Sequence, residues 1–287
     1  MSAPLPRETR SFDTAHIGRR VLVYDAVEST NTLGAALGAA DPEASGLVLI
    51  ADHQLAGRGQ YGRTWVSRPG SSLLMSVVLR PPPAIRRPVV LTAWVAVAVA
   101  DAVFALSGAQ ARIKWPNDLL IDGKKICGIL IEQTSSGDGT IAVAGLGLNL
   151  TQTAADFAHA NLLTATSLHA VSGGSYDPRG AAEVVVGALD REYARLLAGE
   201  RAGVEAGWKR RIGLLGRAVR VELVGGAWTT GRLLDVSFDG LELEDAAGFV
   251  RVVPRSRCLT SGRFEARNKG PEPWCRGARA IGPVGWL

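Results

Sequence analysis

A short loop rich in glycine and arginine, GRGQYGRTW at residues 57–65, has the composition of an anion-binding segment. Gly57 and Gly59 would let the backbone approach a ligand closely and offer N–H groups to an anion. Arg58 and Arg63 add planar, permanently charged groups that suit phosphate or carboxylate. The loop lacks the GxxxxGK(S/T) pattern and leads into a strand, so the dinucleotide-binding fingerprint does not apply. The alternative is a solvated turn with two surface arginines.

Three other stretches place polar side chains beside apolar runs. The first, Glu28-Ser29-Thr30-Asn31, lies between a predicted strand and a predicted helix, where it could face a small polar ligand or simply cap the helix. The second, KWPNDLLIDGKKICGILIE, sets five polar residues on two strands joined by a hairpin: Lys114, Asn117, Asp118, Lys125 and Glu132. The third, GLGLNL at 145–150, ends a strand with small residues and one asparagine.

These residues must be positioned by a series of strands and helices. Strands are predicted at 21–27, 46–54, 72–81, 139–150 and on both sides of Asp122-Gly123 within 111–134. Helices are predicted at 29–40, at 89–106 and, as a pair, between about 178 and 210. After Gly216 the chain changes to short alternating strands, which predicts a small β-barrel as a separate domain with its boundary near 212.

Composition and hydropathy exclude several classes of protein. The apolar run 89–106 is interrupted by Asp101, so a buried helix is favoured over a membrane span. Three scattered cysteines in 287 residues fit neither a disulfide framework nor a CxxC zinc site, which favours a reducing, cytoplasmic setting. Residues 1–20 have no apolar core, so they are predicted to be a disordered segment rather than a signal peptide.

The positive charge is concentrated near the C terminus. From Arg251 onward, eight Lys and Arg residues face two Glu residues, whereas the rest of the chain has 24 basic and 25 acidic residues. A basic, nucleic-acid-binding face on the main domain is therefore not predicted. The Gly- and Pro-rich segment 263–287 is predicted to be a basic, disordered tail.

The four polar stretches, in this order and spacing, resemble the biotin protein ligases (biotin–[acetyl-CoA-carboxylase] ligases). The shared patterns are EST-N, QxAGRGxxGRxW, KWPNDLxxxxKKxxGIL-E and GxGxN, within a resemblance that covers about residues 21–262. The resemblance implies an α/β (α+β) fold, with a core similar to the catalytic domain of class II aminoacyl-tRNA synthetases and a C-terminal Src-homology-3-like barrel. The expected organisation is a catalytic domain at 21–211 and a barrel at 212–262, between the two disordered segments.

The resemblance also implies the roles of individual residues. Biotin would be bound by Ser29, Thr30, Asn31, Gln54, Gly57, Arg58, Gly59, Gln60, Lys125 and Gly128. ATP would be bound by Arg63, Trp65, Asn117, Asp118 and Asn149, with Asn149 at the adenine. The catalytic cations would be Arg58, Lys125 and Lys114, which would stabilise charge where a carboxylate attacks a phosphate. Trp65 and Trp115 are expected either to line the site or to belong to the core.

The implied activity is the ATP- and Mg²⁺-dependent conversion of biotin to biotinyl-5′-AMP, followed by transfer of biotin to one lysine of a biotin carboxyl carrier domain. No residue is expected to bind a metal, and neither DNA nor membrane is an expected partner. A cytoplasmic monomer or weak homodimer is expected. Two features depart from the family pattern: Gln60 stands where many relatives have arginine, and NLLTATSL at 161–168 lacks a tryptophan that in some relatives stacks on adenine.

Three other functions are weighed against this one. A lipoate or octanoate ligase would share the core fold, but the GRGxxG and KWPND motifs together favour biotin. A DNA-binding repressor with biotinyl-AMP as corepressor is disfavoured by the charge balance before Arg251 and by the short segment that precedes the first predicted strand. A biotin-binding pseudo-enzyme is disfavoured because Arg58 and Lys125 are both present.

Overall fold

The computed structural model describes residues 4–136, 139–223, 226–254 and 265–266. The described residues form two compact units. The first contains the chain up to Gly213 except for His159–Leu162, and the second contains those four residues and the chain from Leu214 onward.

The first unit is built around an eight-stranded sheet. Its spatial order is β1 (Glu8–Arg10), β2 (Val21–Val27), β3 (Val48–Gln54), β4 (Ser72–Leu79), β8 (Gly139–Asn149), β7 (Lys124–Ser136), β6 (Asp118–Ile121) and β5 (Arg112–Lys114). Strands β2 and β3 are parallel, and every other neighbouring pair is antiparallel. The α/β class expected from the sequence is confirmed, and its sheet is large.

Helices cover both faces of this sheet. They are α1 (Thr30–Ala40), α2 (Pro88–Ser107), α3 (Ala154–His159), α4 (Leu168–Ser172), α5 (Pro178–Leu197) and α6 (Arg201–Ile212). Helix α1 packs closely on one face because Gly34 and Gly38 leave room for Val78 of β4. Helices α2 and α5 pack against each other on the opposite face, where the Trp94 indole donates a hydrogen bond to the Leu189 carbonyl at 2.9 Å.

The prediction of a buried helix at 89–106 is confirmed by α2. This helix is long and apolar enough to cross a membrane, yet most of it is buried within the first unit, including Trp94 at 0% exposure. An apolar surface on all sides is what a core helix requires. Asp101, the interruption in the apolar run, forms an ion pair with Arg211 of α6.

The expectation that residues 1–20 are disordered is wrong for the described part of that segment. Strand β1 pairs with β2, and Ile17 is fully buried. The Asp190 carboxylate on α5 accepts hydrogen bonds from the backbone N–H groups of Ala15, His16 and Ile17, at 3.0, 2.7 and 2.8 Å. The segment is therefore held by a carboxylate more than 170 positions away in the chain.

Segment 111–134 contains three strands rather than the predicted two. The hairpin between β6 and β7 is confirmed, since Asp122 and Gly123 have φ angles of 49° and 77°, as the favoured two-residue turn requires. The additional strand is β5, which ends at Lys114 and pairs with β6. Pro116, preceded by a cis peptide bond, lies in the turn between β5 and β6.

The second unit contains a five-stranded antiparallel sheet. Its order is β12 (Val250–Pro254), β11 (Gly240–Glu244), β10 (Trp228–Val236), β9 (Ala218–Glu222) and β13 (Glu265–Ala266). Alternate residues such as Val219, Val221, Leu241 and Leu243 are buried, so one side of this sheet forms a small core. The predicted disordered tail, 263–287, lies outside the described residues except for β13.

Candidate active site

The sheet face that carries α1 also carries the polar residues of the central strands. Side chains alternate between the two faces along a strand, so Ser72 and Ser76 of β4 lie on the same side as Val78, which contacts α1. In the register of the sheet, Ser76 is opposite Gly145 and Ser72 is opposite Asn149 of β8. The predicted site residues on α1, β7 and β8 therefore meet at one face.

A hydroxyl and amide cluster lies at the start of α1. The Gln54 side-chain oxygen accepts the Thr30 backbone N–H at 2.8 Å, and the Ser76 hydroxyl lies 2.7 Å from Thr30 Oγ1 and 2.6 Å from Asn31 Oδ1. Ser29 occupies the N-cap position, but its side chain makes no capping hydrogen bond to the described residues. Helix capping alone therefore does not account for the polar residues of this motif.

The same cluster continues to the glycine-rich loop through Glu132. The Asn31 amide nitrogen donates to Glu132 Oε2 at 2.8 Å and to the Leu130 carbonyl at 3.3 Å. Glu132 Oε2 also accepts a hydrogen bond from the Arg58 guanidinium. Residues from two sequence motifs and from the loop are thus joined in one network.

The loop at 57–65 forms a small closed hairpin. Its two arms are joined by hydrogen bonds from Trp65 N–H to the Gly57 carbonyl at 3.0 Å and from Gly59 N–H to the Arg63 carbonyl at 2.7 Å. A Cβ at position 57 would lie 2.4 Å from the Trp65 carbonyl oxygen, so this closure requires glycine. The Arg58 and Arg63 side chains are exposed, and Gln60 is half-buried at the turn.

Lys125 and Trp65 lie over two glycines of neighbouring strands. Gly128 and Gly147 are opposite each other on β7 and β8, and a Cβ on either would approach the Trp65 ring to 2.9 or 2.5 Å. The Lys125 ammonium lies 5.6 Å from the centre of the Trp65 ring and 2.7 Å from Asp118 Oδ1. Asp118 therefore positions the cation beside the indole.

The two asparagines assigned to ATP hydrogen bond to other residues of the chain. Asn149 is buried, and its amide nitrogen donates to the Thr166 carbonyl at 2.9 Å. The Asn117 amide nitrogen donates to the Ile129 carbonyl at 2.7 Å, which ties the turn before β6 to β7. Lys114 is exposed and lies opposite Asp118 in the register of β5 and β6. The two asparagines therefore tie β8 to the segment before α4, and the turn before β6 to β7.

Trp115 belongs to the core rather than to the wall of the site. Only 4% of it is exposed, and its ring packs on Trp208 of α6 with 5.3 Å between the ring centres. Cys127 is also fully buried, and this burial raises the pKa of its thiol far above the usual range. A neutral, inaccessible thiol is not suited to act as a nucleophile.

Comparison with known proteins shows the family of the chain. The model of the biotin/lipoate A/B protein ligase family matches residues 23–149. The biotin–[acetyl-CoA-carboxylase] ligase of Mycobacterium tuberculosis is 32% identical over 262 residues, which are 86% of this chain and 93% of that protein. The bifunctional ligase/repressor BirA of Bacillus subtilis is 31% identical over 83% of this chain and 74% of its own length. The chain belongs to the biotin protein ligases.

Solved structures of the family share the fold. The biotin protein ligase of Aquifex aeolicus, in complex with biotin and ATP, superposes with a TM-score of 0.70 at 22% identity, covering 86% of this chain and 98% of that one. The Leishmania major enzyme in complex with biotinyl-5-AMP gives a TM-score of 0.51 at 23% identity, over 81% and 98% of the two chains. At these identities the likeness concerns the fold.

Two components of the site were not among the residues predicted from the sequence. Ser76 links Thr30 to Asn31, and Gly147 is one of the two glycines in contact with the Trp65 ring. Ser76 could have been found, because Ser72 and Ser76 interrupt an apolar strand at an even spacing and must share a face. Gly147 lies in the GLGLNL stretch that the sequence singled out, but its contact with Trp65 could not be predicted from that stretch.

Proposed function

We propose that this ligase activates biotin with ATP and transfers it to one lysine of a biotin carboxyl carrier domain. In the first step a biotin carboxylate oxygen attacks the α-phosphorus, and pyrophosphate leaves to give biotinyl-5′-AMP. In the second step the neutral amine of the carrier lysine attacks the acyl carbon, AMP leaves, and the amine proton passes to solvent. The product is an amide, and no covalent enzyme intermediate is needed.

The observation that supports this proposal is the convergence of four separate motifs at one sheet face. Ser29, Thr30, Asn31 and Gln54 form the polar end of the site, where a ureido ring with two donors and one acceptor can be recognised. Lys125 and Trp65 form the other end, above Gly128 and Gly147. An apolar chain that joins a ureido ring to a carboxylate would run beside the Trp65 indole, which itself packs directly on Gly128 and Gly147.

The cations of the site account for the chemical step. Two anions must meet when a carboxylate attacks a phosphate, so positive groups placed where charge accumulates lower the barrier. Lys125, positioned by Asp118, is the proposed contact for the biotin carboxylate and the α-phosphate. Arg58 and Arg63, on the exposed side of the loop, are the proposed contacts for the remaining phosphate charge, with Gln60 between them. Lys114 is proposed as a further, outer cation.

Magnesium is proposed to enter with the nucleotide. Within the described part of the chain, no three His, Cys, Asp or Glu residues are grouped so that they could hold a metal ion. A Mg²⁺ ion bound mainly to phosphate oxygens needs at most one or two carboxylates from the protein. The ion would neutralise phosphate charge, while the residues of the chain bind and orient the two substrates.

Several finer features belong to the same proposal. The first unit would correspond to a core like that of class II aminoacyl-tRNA synthetases, and the second to a Src-homology-3-like barrel, with the boundary near 212. Asn117, Asp118 and Asn149 would contact ATP only after exchanging their present hydrogen bonds. A cytoplasmic monomer or weak homodimer that binds neither DNA nor membrane is proposed. A salt-dependent shift assay would test for DNA binding. Sedimentation would measure the oligomeric state.

The direct test mixes the purified chain with ATP, Mg²⁺, biotin and a biotin carboxyl carrier domain. We expect the mass increment of one biotin on one lysine, and none when that carrier lysine is replaced by arginine. Parallel reactions with lipoate or octanoate test the alternative substrate, and isotope exchange between pyrophosphate and ATP reports the first step alone. Exchange that depends on lipoate but not on biotin would reject the proposal.

A further inference from the structure

Glu132 is the point at which two separate parts of the site meet. Its Oε2 atom accepts one hydrogen bond from the Asn31 amide at 2.8 Å and another from the Arg58 guanidinium. Asn31 lies in the first turn of α1, whereas Arg58 lies in the glycine-rich loop. A single carboxylate oxygen therefore connects the polar end of the site to the loop.

The charge of Glu132 dictates how the hydrogen bonds beyond it are arranged. An ionised carboxylate can only accept, so Asn31 must turn its amide nitrogen toward Glu132 and its oxygen toward Ser76. The 2.6 Å contact between Ser76 Oγ and Asn31 Oδ1 then uses the only proton of Ser76. The Thr30 hydroxyl lies 2.7 Å from Ser76 Oγ and has its own acceptor in Gln54 Oε1, at 3.1 Å. The donors of Asn31 and Ser76 thus point in directions that Glu132, together with the Leu130 carbonyl, determines.

This arrangement leaves acceptors where a ureido ring brings donors. The Thr30 hydroxyl donates to Gln54 Oε1 at 3.1 Å and presents a lone pair, because Ser76 gives its proton to Asn31. Gln54 Oε1 also accepts the Thr30 backbone N–H at 2.8 Å. Ser76 is fully buried and Asn31 is 4% exposed, so water cannot readily restore a wrongly oriented member of the chain.

We propose that Glu132 is a positioning residue, which orients the ring-binding groups through Asn31 and Ser76 and couples them to the loop through Arg58. This inference rests on the proposed function, because it names how that site recognises biotin. Lys125 pairs with Asp118 and has no part in this chain of hydrogen bonds. Loss of Glu132 should therefore weaken biotin binding far more than it slows the chemical step.

The test compares Glu132→Ala and Glu132→Gln with the wild-type chain. Biotin binding without ATP is measured by calorimetry, and adenylate formation is measured at saturating biotin and ATP. Glu132→Ala should raise the Kd for biotin about tenfold or more, since a buried amide loses its acceptor. Glu132→Gln keeps an acceptor of the same shape and should raise the Kd for biotin less than about threefold. The rate at saturation should change by less than about threefold in both.

Two further variants separate this role from a general loss of structure. Thr134 is exposed on the same face of β7, two residues further on, so Thr134→Ala should leave biotin binding unchanged. Glu132→Ala combined with Arg58→Ala should weaken binding by less than the product of the two single effects, because the two side chains act through one contact.

The proposal would be overturned if Glu132→Ala bound biotin within twofold of wild type, or if Glu132→Gln were as weak as Glu132→Ala. If the effects of Arg58→Ala and Glu132→Ala on the Kd for biotin simply multiplied, the proposed coupling between Glu132 and the loop would be rejected. These outcomes presuppose a wild-type chain that binds biotin and forms biotinyl-AMP. A wild-type chain that does neither would instead reject the proposed function, so the two failures are distinguishable.

Discussion

Strand β4 has two faces that contribute in different ways to the protein. Leu73, Met75, Val77 and Leu79 are fully buried on the side opposite α1, where α5 packs against β4. On the other side, Ser72 and Ser76 lie in the hydrogen-bonded site, Leu74 is buried, and Val78 packs against α1. One eight-residue strand therefore supports both the core and the site.

The difference between these faces shows how the protein combines stability with a polar site. Buried apolar side chains contribute stability roughly in proportion to the area they remove from water, without any need for direction. The polar face must instead satisfy each donor and acceptor, and it needs glycine wherever Trp65 approaches the backbone. Substitutions on neighbouring residues of β4 and the adjacent strands should thus affect separate properties.

The largest effect is expected on the apolar face. Met75→Ala removes a fully buried side chain on the side of β4 opposite α1, and such truncations cost about 2–5 kcal/mol of the free energy of unfolding. Urea-induced unfolding would measure this loss. At a temperature where the variant remains folded, its Kd for biotin should equal that of wild type. A large rise in Kd would show that the two faces are not independent.

Removal of the central cation should give the largest effect on catalysis. Lys125→Ala is expected to slow adenylate formation by roughly 10²-fold or more, the scale of losing one preorganised charge-stabilising group. The half-exposed Lys125 contributes little to the core, so the melting temperature should change little. Lys124→Ala is the matched control, because Lys124 is exposed and adjacent on β7. Adenylate formation near the wild-type rate in Lys125→Ala would exclude this role.

Ser76→Ala is the polar counterpart of Met75→Ala. It leaves the buried Asn31 oxygen without its donor, which typically costs about 1–3 kcal/mol. We expect the Kd for biotin to rise by about tenfold, equivalent to about 1.4 kcal/mol, with a smaller loss of stability than in Met75→Ala. Calorimetric titration with biotin and urea unfolding of both variants would show whether the two effects separate. Equal biotin affinity in Ser76→Ala and wild type would place Ser76 in a purely structural role.

Local signals in the sequence were sufficient for most of the strands, whereas the common site of the motifs was implied by the resemblance to the family. The strand at 21–27 and the Asp122-Gly123 hairpin depend on neighbouring residues, so they could be predicted with their boundaries. Asn31, Arg58 and Glu132 were singled out in separate motifs, and the structure brings them together.

The remaining features depend on contacts between distant parts of the chain. Residues 8–17 lack a strong local pattern, and their order comes from β-pairing and from the Asp190 carboxylate on a helix far along the sequence. Trp115 lies within a motif of the site, yet its partner Trp208 places it in the core. Neither the order of residues 8–17 nor the Trp115–Trp208 contact can be predicted from the spacing of nearby residues.

The smallest effect is expected at Gln60, on the loop that borders the polar face. An arginine there could pair with the adenylate phosphate, whereas glutamine offers a neutral hydrogen bond of about half the strength. We expect Gln60→Arg to release biotinyl-AMP more slowly than wild type, by about fivefold or about 1 kcal/mol for a partly exposed contact. Stopped-flow tryptophan fluorescence should detect release through Trp65, since Trp115 is in the core. Thr64→Arg adds the same charge to an exposed position of the same loop and should have a smaller effect. An equal or faster off-rate in Gln60→Arg would mean that position 60 faces away from the phosphate, and that Arg58 and Arg63 provide the cationic contacts of the closed loop.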